Sequence, residues 1–126
     1  MKIVTIIVRV LLGLIFVVFG LNGFLHFIPM PPPDDSVAQK FAGILMSSGY
    51  MSVVFVLQLV GGLLVLSGFF VPLGLTILAP IIANILLFHL CLAPAGILPG
   101  AVAALLECFL IWRYWPNFAG LLRQGT

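Results

Sequence analysis

The chain has 126 residues, of which 63% are hydrophobic and only 6% charged, and its mean hydropathy is +1.36. Soluble domains carry roughly 25% charged residues, so too few ionisable side chains are present to clothe a water-facing surface, and a water-soluble domain of any size is excluded. The formal net charge of +2 is too small to mark a nucleic-acid partner, and the class that remains is an all-α integral membrane protein in the lipid bilayer.

The opening, MKIVTIIVRVLLGLIFVVFG, imitates a signal peptide, with Lys2 ahead of an apolar run. The run is too long for a signal-peptide core, Arg9 interrupts it and no A-x-A site follows, so it reads as a retained first span. That span is expected over 3–28, long enough at 1.5 Å per residue to cross a core of ~30 Å with some tilt. Arg9, Gly13 and Gly20 recur near one face, where small residues let a second helix approach. Asn22 and His26, four apart, share another face near the far end. Arg9 lies within snorkelling reach of the near interface and reads as an anchor.

Pro29, Pro31, Pro32 and Pro33 then stop the helix, because they lack the amide hydrogens it needs. Ser36 and Gln39 match an S-x-x-Q capping box. A short amphipathic helix is expected over 37–48, with Val37, Phe41, Ile44 and Leu45 on one face. It is too short to span, so it lies at the membrane surface or folds over the bundle end, and Gly49 is its terminator.

Span two is expected over 50–70. Gln58, Gly61, Gly62 and Val65 form one stripe, which sets a polar amide beside a glycine notch. Val71 and Pro72 make a very short turn, so span three, 72–92, returns antiparallel beside span two. It contains Pro80, a source of kinking, then Asn84 and His89. A proline–glycine loop, APAGILPG, leads to span four, 100–115, which ends in Trp112, Arg113, Tyr114 and Trp115, an interfacial aromatic belt. Cys91 and Cys108 form no CxxC or zinc pattern and read as small packing residues.

Four spans place both termini on one side. Lys2, Arg9, Arg113 and Arg123 gather there, whereas the first loop holds Asp34, Asp35 and Lys40. The positive-inside rule therefore puts both termini in the cytoplasm, and the expected location is the bacterial cytoplasmic (inner) membrane.

With that topology the intramembrane polar side chains fall into one layer. Asn22, His26, Gln58, Asn84, His89 and Glu107 come from all four spans, and all lie in the outer half. Independent structural accidents would not be expected to share one layer. Glu107 is the only acidic side chain inside an apolar run, and a carboxyl at that depth is costly unless it has a partner or a function. Two readings stay open. Buried polar groups can bond one another and pin helix register, or the layer can bind a polar-headed small molecule such as a quinone. A haem between His26 and His89 is the weaker cofactor reading, since two histidines alone do not argue for one. No phosphate loop, nucleophile–base pair or metal-ligand spacing is present.

The segments RVLLGLIFVVFGLNGFLHFIP, QLVGGLLVLSGFFVPLGL and NILLFHLCLAP also resemble successive segments of DoxX-family membrane proteins, over nearly the whole chain. The resemblance implies a four-helix membrane bundle. It also implies a link to quinone-dependent redox systems, since the family takes its name from a subunit of a thiosulfate:quinone oxidoreductase. The family usually carries glutamate just ahead of the double glycine, where this chain has Gln58; if that acid is needed for proton or quinone chemistry, this member has lost it, unless Glu107 substitutes in the same layer.

The expected architecture is thus a four-span all-α bundle with a surface helix between spans one and two. In the first functional reading it is a membrane subunit of a redox system: Glu107 exchanges a proton and His26 and His89 hydrogen-bond the head group of a quinone. In the second it is a non-catalytic structural or assembly subunit, which docks to a larger membrane complex or to itself through the glycine stripes of Gly13, Gly20, Gly61 and Gly62. Transport is a third reading, disfavoured by the lack of internal repeats.

Overall fold

Long apolar runs must satisfy their backbone amides internally, which dictates helices wherever proline and glycine do not intervene. The computed structural model describes residues 2–27 and 35–122. Its regular elements are α1 (Lys2–Leu25), α2 (Val37–Ser47), α3 (Tyr50–Ser67), α4 (Val71–Cys91), α5 (Leu98–Arg113) and the single turn α6 (Trp115–Phe118), with 3-10 turns at Pro94–Gly96 and Ala119–Leu122. No strand occurs among the described residues. Three helices, α1, α3 and α4, are long and apolar enough to cross a membrane, and they mark a multi-pass membrane protein. The helix α5, expected as the fourth span, has 16 residues, a rise of ~24 Å against a hydrocarbon core of ~30 Å. The proline run expected to stop span one, Asp34 and Arg123 lie outside the described residues.

The long helices pack around a ring in the order α1, α3, α4, α5 and back to α1. Leu12, Phe16, Val65, Leu75, Leu78 and Leu110 fill its centre. Glycine sets the closeness of the α1–α3 pair: a Cβ on Gly13 would lie 2.7 Å from the Leu66 Cβ, and one on Gly62 would lie 3.1 Å from the Val17 backbone nitrogen. Gly20 meets Leu59 in the same seam. Between α3 and α4, Gly61 faces Leu78, and a Cβ on Gly74 would come 2.9 Å from the Gly61 carbonyl oxygen. The expected stripe on span two is the buried face of α3, which holds Gln58, Gly61, Gly62 and Val65.

Three local expectations change. The α3–α4 reversal is made by Gly68, Phe69 and Phe70, not by Val71 and Pro72. Gly68 takes φ +83° and Phe70 φ +54°, left-handed conformations that turn the chain sharply, while Pro72 sits in the first turn of α4, where its missing amide hydrogen costs nothing. Likewise α1 ends at Leu25, so His26 is not on a helical face shared with Asn22. It lies just beyond the helix at φ +53°, with its amide donating to the Asn22 carbonyl at 2.9 Å.

The third change concerns α2. Ser36 caps it as expected, its Oγ accepting from the Gln39 amide at 3.2 Å, and Gly49 follows it at φ +82°. Of the two placements left open, the helix takes the second and folds against the end of the bundle, on α3. The face turned inward is the expected one only in part. Leu45 is half-buried and Phe41 meets Phe88 of α4, but Val37 and Ile44 are exposed, while Ala38 is buried and Ala42 half-buried.

Candidate functional site

The ring of helices closes tightly at one end and opens at the other. Thr5 near the start of α1 accepts a hydrogen bond from Arg113 Nε at the end of α5, at 3.0 Å, and Arg9 lies against Gly68 at the end of α3. At the opposite end, the last turn of α1, the first turns of α3 and α5, the last turns of α4 and the inner face of α2 surround a cleft of about 1210 Å³. Its walls are mostly apolar, and Phe16, Phe19, Phe55 and Phe88 contribute rings.

Five of the polar residues singled out in the sequence line this one cleft: Asn22, His26, Gln58, Asn84 and His89. They differ in depth. Gln58 is 7% exposed; Asn22 and His89 are half-buried, and His26 and Asn84 are exposed within the wide opening. Gln58 Oε1 is buried and has no hydrogen-bond partner among the described residues. His89 is fixed from behind: its Nδ1 lies 2.9 Å from the Ile85 carbonyl oxygen. A carbonyl only accepts, so Nδ1 carries the hydrogen and Nε2 of the neutral ring is an acceptor. The ring edge also meets Phe88 at 5.2 Å between centroids.

Glu107 is the exception. It does not line the cleft, although Gly100 and Ala103, on the same buried stripe of α5, do. The carboxyl continues that stripe one turn beyond Ala103, is 4% exposed, and has neither oxygen paired among the described residues. Along their own helices Gln58 and Glu107 are set ~12 Å and ~14 Å in from the cleft end, so the two buried polar groups occupy comparable depth. Buried acceptors without donors are costly, and both here belong to the floor of one end of the bundle.

The glycines expected to dock a partner are occupied within the chain. Gly13, Gly20, Gly61 and Gly62 all face neighbouring helices of the same bundle. Sequence reasoning missed α2 as a cleft wall and Lys40 and Gln39 as residues of its rim. The available signal was the pair of small residues Ala38 and Ala42, four apart, which marks a face of close approach. Among the described residues no group of histidine, cysteine or acidic side chains could hold a metal ion. No protein-family model, curated protein or solved structure matches the chain.

Proposed function

We propose that the chain is a four-span membrane bundle of the DoxX type, with α5 as the fourth span, and that its cleft binds a membrane-soluble molecule with a polar head. One observation carries this reading: five polar side chains from the long helices and their ends converge on a single apolar cleft, with an unpaired buried acceptor in its lining. Sites of this kind, largely apolar with a few placed polar groups, suit amphipathic ligands.

The chemistry of the lining narrows the class. Gln58 Oε1 accepts, and with His89 Nδ1 turned to the Ile85 carbonyl its Nε2 accepts whenever the ring carries a single proton, so their complement is an O–H or N–H donor on the ligand. Among redox lipids the reduced, hydroxyl-bearing quinol meets that need, and the amide hydrogens of Asn84 suit its hydroxyl oxygens. The bound quinol or quinone would supply the electron-transfer chemistry. The chain's own residues bind and orient the head, exclude water with the aromatic wall, and keep the carboxyl of Glu107 one turn behind it. A redox role calls for a partner subunit to deliver or receive electrons.

The test is binding of a short-tailed quinol and of its dimethyl ether to the protein in nanodiscs. Removing the two hydroxyl hydrogens leaves the acceptors unpaired, which costs about 1–3 kcal/mol for each buried group, so the ether should bind at least tenfold more weakly. Equal binding of the two would contradict the assignment. The alternative of a purely structural subunit draws no support from the glycines, since each is spent on packing within the chain.

A further inference from the structure

The end of the bundle opposite the cleft carries a second, smaller pocket of about 450 Å³, lined by Lys2, Thr5, Ile6, Arg9, Arg113 and Tyr114. Three of these six side chains are cations, and no carboxylate lines the pocket among the described residues. The described acids are elsewhere: Asp35 is beside α2 at the far end, and Glu107 is buried on the inner face of α5. Three cations from α1 and α5 are therefore held together with no carboxylate among the described residues lining their pocket.

The arginines are positioned, not trailing. Arg113 commits Nε to the Thr5 hydroxyl at 3.0 Å, and its guanidinium carbon lies 5.8 Å from the centre of the Trp112 ring. That leaves its other N–H donors, held in a rigid fork, for a planar or tetrahedral oxyanion. Arg9 packs against the α3 terminus, where a Cβ on Gly68 would sit 3.0 Å from its Nη1, so the absence of a side chain at that position makes room for the guanidinium. Its Nε is buried and has no acceptor among the described residues. A guanidinium with a buried, unpaired N–H is expensive to hold, and an oxyanion on its remaining N–H groups offsets the charge part of that cost. Trp112 and Trp115, both largely exposed, flank the pocket with amphipathic rings of the kind that sit at head-group level.

We propose that this pocket is a binding site for the phosphate head group of an anionic phospholipid, taken from the leaflet in which the start of α1 and the end of α5 lie. The apolar flanks of α1 and α5 below the pocket then carry the acyl chains, and the lipid bridges the first and last long helices beside the Arg113–Thr5 bond that ties their polar ends.

The experiment is native mass spectrometry of the full chain released from nanodiscs of phosphatidylglycerol mixed equally with phosphatidylcholine. A parallel thermal-unfolding series in detergent uses phosphatidylglycerol or inorganic phosphate as the added probe. The wild-type protein should retain phosphatidylglycerol in preference to phosphatidylcholine, and phosphatidylglycerol should raise the unfolding temperature more than equimolar phosphate does. Each juxtamembrane cation contributes about fivefold to such binding, so Lys2→Gln and Arg113→Gln should each weaken retention by about that factor, and together by about 25-fold. Arg9→Lys keeps the charge but loses the fork, and should weaken retention without unfolding the protein. No preference for phosphatidylglycerol, or retention unchanged in the Lys2 and Arg113 double variant, would overturn the proposal. Protection by phosphate equal to that by the lipid would show a free-anion site instead and would overturn it equally.

Discussion

At the scale of single residues, the unusual features are buried polar atoms without partners and glycines without room. Glu107 is 4% exposed with both carboxyl oxygens unpaired among the described residues. Replacing an unsatisfied buried polar group by an apolar one of similar size is often neutral or stabilising. Glu107→Leu should therefore unfold no earlier than the wild type in detergent. Thermal unfolding checks this, and a loss of more than about 2 kcal/mol would mean that the carboxyl has a structural partner. The glycines give a sharper contrast. A Cβ at Gly13 would lie 2.7–2.8 Å from Leu66 side-chain and backbone atoms, whereas one at Gly43 would meet nothing within 4 Å. Gly13→Ala should cost about 1–3 kcal/mol by overpacking. Gly43→Ala, inside α2, should be neutral or stabilise by up to about 1 kcal/mol through helix propensity. Equal effects in denaturation would refute the seam as described.

At the scale of elements, the long helices were legible because apolar run length and prolines determine them almost alone. The inward face of α3 was legible too, since Gln58, Gly61, Gly62 and Val65 form a stripe at helical spacing. What escaped the sequence were features decided by left-handed residues and by tertiary contact. Nothing local in GFLHFIP distinguishes a helix through His26 from one ending at Leu25, because His26 at φ +53° is a conformation the residue tolerates but does not announce. The seating of α2 was read only in part: Phe41 and Leu45 of the expected face do turn inward, but the close approach to α3 also selects the small side chains of Ala38 and Ala42 in place of Val37 and Ile44. That Asn22, Gln58, Asn84 and His89 lie toward one end of the bundle followed from their positions along each helix, but their opening onto one cleft required the inter-helix angles. Since α2 forms part of that cleft wall, its docking should control access. Phe41 on α2 meets Phe88 on α4 at 5.8 Å between ring centroids. Phe41→Ala should speed hydrogen exchange of the α2 amides by about tenfold and leave α3 unchanged, as expected for loss of one aromatic contact worth about 0.5–1.5 kcal/mol beyond its area. Unchanged exchange in α2 would show that the contact does not hold it.

At the scale of the whole molecule the two ends differ: Lys2, Arg9 and Arg113 line a small pocket at one, and the larger cleft, with Lys40 on its rim, opens at the other. The orientation we propose from the positive-inside rule has the cationic end, with Lys2, Arg9 and Arg113, in the cytoplasm. In a background with the exposed Cys91 and Cys108 replaced by alanine, Asp35→Cys should label from outside intact cells and Asn117→Cys only after permeabilisation. The reverse pattern would turn the cleft toward the cytoplasm. The central claim is that this cleft, and no lipid-facing groove, takes a quinol-type molecule. It is tested most directly by photo-crosslinking a quinol carrying a reactive group on its ring to the protein in nanodiscs, then mapping the adducts by peptide mass spectrometry. The account predicts saturable labelling at Met51, Phe55 or Phe88 of the cleft wall, abolished by excess unlabelled quinol. Labelling that does not saturate, or that spreads over outward residues such as Leu63 and Leu105, would contradict it.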